Sequence, residues 1–281
     1  MNYQEILSKG SQILKAKKIN SSSLDCELIL SKVLKKSREE ILINLNHKVN
    51  INQNKKFNYY LNKRKNKNPL SHILGFKFFW KYKFYINKSV LIPRPESEHI
   101  VELALKYIPI SKSIKILDIG TGSGCLIISV LKERYNCDAS AIDISKEAIK
   151  VAKINAKLHH LENKIKFFNI DIDKFNSNKY DLVISNPPYI NKIDLNRLDE
   201  SVRLYEPKSA LYGGVTGFDE IKKVINKSSK LLKYNGKLII EIGNRQKCCV
   251  VKILKENGFY ISEIYKDLSG KDRCIVGIKI K

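Results

Sequence analysis

The sequence predicts an α/β fold: a largely parallel sheet with helices on both faces, preceded by a small all-α unit and a β-hairpin linker. Three observations predict it. From residue 95 onward, helical and strand-like segments alternate, as they do where crossover helices cover a parallel sheet. The stretch "KILDIGTGSGCLIIS" (115–129) reads as a strand, a glycine-rich turn and a helix. The stretch "YDLVISNPPYI" (180–190) reads as a buried β-branched strand that stops at Asn186, since Pro187 and Pro188 have no N–H for a ladder.

Residues 1–68 carry helical periodicity. In "SLDCELILSKVLKK", Cys26, Ile29, Leu30 and Val33 recur on one face at i, i+3, i+4, i+7, with Ser22 or Ser23 available as an N-cap. Residues 69–94, "PLSHILGFKFFWKYKFYINKSVLIPR", turn aromatic and β-rich with interspersed lysine, which predicts a hairpin or extended linker. Its Trp80, the single tryptophan, is expected to pack the linker against the larger domain, as aromatic side chains dominate cores. Residues 95–281 form the α/β domain. Pro95 suits a first helical turn, Glu96 and Glu98 suit its positive end, and Ile100, Leu103 and Ala104 form an apolar stripe. Strands are predicted at 114–119, 138–143, 165–169, 180–185, 236–242 and 273–280. The last two are separated by the helix-like 245–257 and the run "YISEIYKDLSG", so the final strand is placed to pair antiparallel.

The 281 residues suffice for a large and a small domain, each with its own core. No run approaches the length of a membrane span, and "MNYQEILSKGSQIL" lacks the apolar core of a signal peptide, so a cytoplasmic protein without membrane contact is expected. The six cysteines contain no CxxC pair; they read as reduced thiols, mostly packing residues, including Cys248 and Cys249 in a helix core. His159 and His160 lack partners at metal spacing, and no metal is expected. The net charge of +24 would suggest nucleic acid if it were clustered. It comes from 44 Lys against 8 Arg, spread along the whole chain and accompanied by abundant Ile and Asn, which reads as genome bias and solvated lysine.

Candidate chemistry concentrates where strands end, the place where open α/β sheets bind ligands. Gly120, Gly122 and Gly124 let the backbone approach a ligand, and the helix that follows offers unpaired N–H groups. The dinucleotide pattern G-x-G-x-x-G is not met: Cys125 or Ile127 stands where the third glycine belongs. Asp118, just before the loop, suits a cationic ligand better than a pyrophosphate. Asp143, ending the next strand, is placed either to bond a ribose or to cap the helix starting near Ser145; Asp171 carries the same two readings.

In this order, "LDIGTGSGCLIIS", "AIDIS", "NID" and "NPPYI" resemble the motifs of S-adenosyl-L-methionine-dependent methyltransferases that modify a planar nitrogen. "PLSHILGFKFFW", "VLIPRPESEHIVELAL", "YEPKSALYGG" and "DLSGKDRCIVG" resemble the peptide chain release factor glutamine methyltransferase family, over nearly the whole chain. The resemblance implies a Rossmann-like domain with a seven-stranded sheet. It implies that Gly120, Thr121, Gly122, Ser123 and Gly124 cradle the methionine part of the cofactor and that Asp143 holds the ribose. It places Asp171 and Ile172 by the adenine, with Ile172 where relatives often carry an aromatic. Asn186, Pro187, Pro188 and Tyr189 become the substrate motif, Asn186 also touching the cofactor, and Arg94, Pro95 and Glu96 a lid. The implied partner is a release factor, the helical domain gripping it; a monomer without direct nucleic-acid binding is expected.

The chemistry accounts for the motif. A glutamine amide nitrogen is a poor nucleophile because its lone pair is delocalised, as the barrier of ~18–20 kcal/mol to amide rotation reflects. If Asn186 Oδ1 and the Pro187 carbonyl each accept one amide N–H, the lone pair is aimed at the methyl carbon, and the acceptors stabilise the charge developing on nitrogen. Tyr189 would wall the amide from water. The same motif serves enzymes acting on exocyclic amines of adenine or cytosine, but no extended domain for reading bases is present. A non-catalytic RNA-binding module that kept this core is a further alternative, opposed by the intact glycines and Asn186. Arg203 and Glu206 are candidates for contact with the protein substrate.

Overall fold

The computed structural model describes residues 1–177 and 179–281. The chain divides into two compact units, Met1–Phe76 with Asp199–Tyr205, and Lys77–Leu198 with Glu206–Lys281.

The first unit is helical, with helices at Tyr3–Ala16, Ser22–Leu34, Arg38–Ile43, Ile51–Lys65 and Leu70–Leu74. Asn2 with Glu5, Ser37 with Glu40 and Asn50 with Gln53 form reciprocal capping boxes, each satisfying two otherwise orphaned backbone donors. Cys26, Ile29 and Leu30 are fully buried with Leu14, Ile41 and Phe57. The second helix is capped by Ser21 without a side-chain bond, not by Ser22 or Ser23, whose hydroxyls lie within bonding distance of Ser11 on the first helix. The unit extends past residue 68, because the Leu70–Leu74 turn buries Ile73 in the helical core.

After the first segment of the helical unit, whose last residue Phe76 also opens the strand, β1 (Phe76–Phe79) and β2 (Tyr82–Tyr85) pair as a two-stranded sheet. Trp80 in the intervening turn packs on the main core, and its Nε1 donates to Glu133 at 3.1 Å. The main sheet comprises β3 (Lys115–Ile119), β4 (Asp138–Asp143), β5 (Ile165–Asn169), β6 (Tyr180–Ser185), β7 (Leu232–Glu241), β8 (Phe259–Lys266) and β9 (Asp272–Lys279), in the order β5-β4-β3-β6-β7-β9-β8. The first five run parallel, and β9 lies antiparallel between β7 and β8, as the sequence led one to expect for the final strand.

Period-two alternation builds the layers. Leu182 and Ile184 join one core with the helices Glu98–Tyr107 and Cys125–Glu133, while Val183 joins the other with Asp219–Leu231 and Lys247–Glu256. Each such fully buried aliphatic side chain contributes about 1.5–3 kcal/mol relative to an exposed one. Cys248 and Cys249 are exposed, not core: the helix turns Val250 and Leu254 inward, which leaves the two thiols on its outer face. No helix among the described residues is long and apolar enough to cross a membrane.

Strand order reverses at β3. The chain builds β4 and β5 on one side of it, then returns to place β6 and β7 on the other, so the connections at the carboxyl ends of β3 and β6 part and leave a crevice.

Candidate active site

A cavity of about 320 Å³ opens at that switch point, within the range of small-molecule sites. Gly120, Thr121, Gly122 and Ser123 after β3, Asp143 at the end of β4, Asp171 and Ile172 after β5, and Asn186, Pro187 and Pro188 after β6 all line it. Arg94 lines it too, with Ser89, Val90, Leu91 and Pro93 before it.

Backbone bonds shape the glycine loop. Gly120 N and Thr121 N donate to Ile142 O at 2.9 and 3.0 Å, pinning the loop to β4. Gly120 takes φ +73°, and a Cβ there would meet no protein atom within 4 Å; the loop leaves open space on the ligand side. Gly124 does something else. It is absent from the lining, and a Cβ would press 3.0 Å from Ile128 Cδ1 and 3.3 Å from Ala152 Cβ, so its smallness serves helix packing.

The acids divide their work. Asp143 Oδ2 accepts from Gly122 N at 2.9 Å and Oδ1 from Ser145 N at 2.8 Å, while Ser145 itself caps the next helix through Ala148 N. The cap reading of Asp143 thus passes to Ser145. Burial holds the Asp143 carboxyl above its ordinary range, against the pull of those two N–H donors. Asp118 lies fully buried beneath the loop; Thr121 Oγ1 donates to its Oδ2 at 2.7 Å, and its Oδ1 makes no hydrogen bond among the described residues. Burial pushes it up to about 7, with the nearby Asp143 charge adding to the rise. Asp171 Oδ1 accepts from Asp173 N at 2.9 Å and caps the short turn that presents Ile172. Ile142, Ile144, Ile170, Ile172 and Val224 supply an apolar wall, so the surface beside Asp171 is aliphatic.

Asn186 is half-buried, its Nδ2 donating to Ser97 Oγ at 2.9 Å. Tyr189 does not line the cavity. Its hydroxyl donates to Glu241 Oε1 at 3.2 Å and its ring packs on the second core. Its phenol is held well above the usual range by burial, with the Glu241 charge adding to that. The backbone of the motif is fastened from outside: Gln246 Nε2 donates to Tyr189 O and Gly217 O at 3.1 Å each, and Gly213 N donates to Ile190 O at 2.9 Å.

Glu206 is buried rather than available to a protein surface. Its carboxylate accepts from Arg94 Nη2 at 2.5 Å and Ile92 N at 3.0 Å, tying the segment before Pro95 in place. Arg203 is exposed in the short helix Glu200–Arg203. His159 packs against Tyr82 and Phe84 and bonds Lys83 O, and no cluster among the described residues could hold a metal ion.

Sequence reasoning missed Ser97, Glu241, Gln246 and Asn155. Asn155 is fully buried, its amide bonding the backbone of Tyr85 and Ser123, so the hairpin and the glycine loop share one anchor. Only Glu241 carried a local signal, an acid ending an apolar strand as Asp143 does.

A methyltransferase domain model matches residues 110–277, which makes the switch-point cavity and the glycine loop those of an α/β methyltransferase domain. A PrmC N-terminal domain model matches residues 5–75. The release factor glutamine methyltransferase of Clostridium acetobutylicum is 35% identical over 99% of this chain and 99% of its own length. That of Buchnera aphidicola subsp. Baizongia pistaciae is 37% identical, over 95% and 96%. The chain belongs to the release factor glutamine methyltransferase family. It is also 33% identical, over 97% of its residues, to a bifunctional methyltransferase of Rickettsia felis, of which it spans 57%. Among solved structures, the ribosomal protein L11 methylase of Lactobacillus delbrueckii subsp. bulgaricus shares the fold, with TM-score 0.52 and 19% identity over 73% of this chain and 90% of that one. A methyltransferase of Pyrococcus furiosus does so at 0.53 and 17%, over 70% and 89%.

Proposed function

We propose that this protein transfers the methyl group of S-adenosylmethionine to the side-chain amide nitrogen of the glutamine in the Gly-Gly-Gln motif of peptide chain release factors, in the cytoplasm and as a monomer. The observation that carries the proposal is Asn186 at the end of β6. Asn186 lines the cavity and its amide NH2 donates to Ser97, which leaves Oδ1 as the acceptor it can offer a substrate. With the Pro187 carbonyl as the second acceptor, both hydrogens of a planar amide are taken and its lone pair is aimed. A carbonyl and an amide oxygen also stabilise the positive charge that grows on nitrogen. Tyr189 supports this loop from behind through Glu241.

The residues present fit the donor. Gly120, Thr121, Gly122 and Ser123 leave room for a chain to lie against the backbone, and buried Asp118 beneath them favours a cationic ligand over a pyrophosphate. Asp143 and Asp171 are the acids for hydroxyl and amine contacts, and the isoleucines with Val224 take the flat apolar base. S-adenosylmethionine supplies an electrophilic methyl on a sulfonium; the chain supplies position. Methylation of exocyclic base amines is the less favoured reading, since the relatives matched over full length are named for release factors. The +24 charge is read as dispersed lysine, without direct nucleic-acid binding.

The test is transfer of labelled methyl to purified unmethylated release factor, beside its Gln→Ala version at the Gly-Gly-Gln glutamine and an unmethylated duplex DNA. Label on the native factor alone is expected, and Asn186→Ala should abolish it while cofactor affinity stays nearly intact. Label on DNA would overturn the substrate, and equal loss of affinity and rate in Asn186→Ala would overturn that residue's role.

A further inference from the structure

From the cavity wall, Asn186 continues through Ser97 into a buried chain of side chains that ends on Glu241. Glu241 ends β7 at 2% exposure, and its two oxygens accept from two hydroxyls: Oε2 from Ser97 at 2.6 Å and Oε1 from Tyr189 at 3.2 Å. Ser97, 4% exposed, in turn accepts from Asn186 Nδ2 at 2.9 Å. A serine hydroxyl has a single hydrogen. Once it is given to Glu241, Ser97 has only lone pairs to offer Asn186. The asparagine must therefore turn its NH2 toward Ser97 and its oxygen away from it. The two ends of an asparagine amide are nearly the same size, so packing alone discriminates poorly between them; the hydrogen-bond network does. A flipped Asn186 would set two donors against a substrate amide that needs acceptors.

We propose that Ser97 and Glu241 are positioning residues that fix which way the Asn186 amide faces, and so keep its oxygen available to the substrate amide. The inference rests on the assignment of Asn186 as that acceptor. The arrangement in which both hydroxyls donate to Glu241 belongs to the ionised carboxylate: once protonated, Glu241 has an O–H of its own to give Ser97, whose hydrogen can then turn toward Asn186 Oδ1. The groups facing Glu241 are Ser97 and Glu96 from the turn before the Glu98–Tyr107 helix, Tyr189 from the substrate motif, and Arg273 and Cys274 from β9. The Tyr189 phenol and the Cys274 thiol are both held up by burial and stay neutral, while Arg273 and Glu96 act in opposite directions. Burial outweighs them and raises Glu241 to about 7. The orientation of Asn186 should therefore loosen as pH falls through that value.

The experiment uses the full chain with Ser97→Ala, Ser97→Thr and Glu241→Gln. Ser97→Ala and Glu241→Gln should lower kcat on unmethylated release factor by about ten- to a hundredfold, the scale of a misplaced reacting group, with S-adenosylmethionine affinity held within about twofold by calorimetry. Ser97→Thr, which keeps the hydroxyl, should recover most of the rate. Wild-type kcat should fall on the acid side of neutrality, and Glu241→Gln should lose that limb. Ser97→Ala turning over at the wild-type rate, or losing rate and cofactor affinity in equal measure, overturns the proposal. A readout without substrate accompanies these. The side-chain NH2 signals of Asn186, assigned by their loss in Asn186→Ala, should shift with pH near neutrality in wild type and stay still in Glu241→Gln; no such difference also overturns it. Should the wild-type protein methylate no release factor, the proposed function fails, and this titration decides the orienting network by itself.

Discussion

Asp118 shows what a single buried charge costs and what it is for. It sits beneath the glycine loop with one oxygen satisfied by Thr121 and the other without a hydrogen bond among the described residues. Burial lifts its carboxyl from 3.8 to about 7, so the folded protein holds that proton more tightly than the unfolded chain does. A group shifted in this direction contributes its full stability below its unfolded value and loses it as pH rises toward the folded one. We expect Asp118→Asn to gain stability relative to wild type progressively between pH 3.8 and about 7, and to hold a constant difference above that. Urea unfolding at a series of pH values measures it; a flat difference across the window would show that ionisation of Asp118 carries no penalty. Its place just before the glycine loop makes the same residue stand out in the sequence, as an acid within an apolar strand. Its partner Thr121 and the unpartnered oxygen were not visible there.

At the scale of elements, the substrate loop is held by the segment 211–217 as much as by its own prolines. Ile190 N donates to Leu211 O at 3.0 Å and Gly213 N returns a bond to Ile190 O at 2.9 Å. The approach is so close that a Cβ on Gly213 would fall 2.5 Å from Pro188 O and 2.9 Å from Tyr189 Cα. Both obstacles are backbone, which cannot swing aside as a side chain would. Gly213→Ala should therefore displace the loop that carries Asn186 and Pro187, costing about 1–3 kcal/mol of stability and at least about tenfold in kcat. Thermal melting and single-turnover methyl transfer check the two parts; an unaltered rate would mean that the loop does not need this neighbour. The strand and the stop at Asn186 were legible from composition and proline chemistry. The brace was not, since "YEPKSALYGG" carries a family resemblance but nothing local to place its glycines beside Pro188.

The whole molecule is two units with separate cores, and a perturbation can be aimed at one of them. In the helical unit, Arg64 Nε lies 2.6 Å from Asp25 Oδ2, with side-chain exposures of 15% and 3%, and Arg64 Nη1 also donates to Asn68 O. Removing one partner of such a pair strands a buried charge and costs about 3–5 kcal/mol, whereas replacing both by apolar residues is often nearly neutral. Arg64→Met should lower the melting temperature of the helical unit, and adding Asp25→Leu should restore much of it. Stabilisation by S-adenosylmethionine should persist in both variants, because every cavity residue belongs to the other unit. Calorimetry resolves these transitions; loss of cofactor stabilisation in Arg64→Met would show the units to be energetically coupled.

By itself, the sequence determined every strand of the main sheet except β8 (Phe259–Lys266), which it left as an unassigned run, together with the antiparallel last strand and the residues at the strand ends: the glycine loop, Asp143, Asp171 and Asn186. Those signals are local, a period of 2 or 3.6 residues, a proline, a glycine or a capping side chain, and they survive without a fold. Only the tertiary structure decided that Glu206 is buried beneath Arg94, 112 positions away, that Gly124 and Tyr189 face packing rather than the cavity, and that Cys248 and Cys249 lie outside. It alone joined Ser97 to Glu241 across 144 positions. A hydrogen bond between residues so far apart leaves no periodicity in either neighbourhood. It exists because β6 and β7 lie side by side with the Glu98–Tyr107 helix packed on them, and that adjacency is set by the burial of the whole core rather than by any short run of residues.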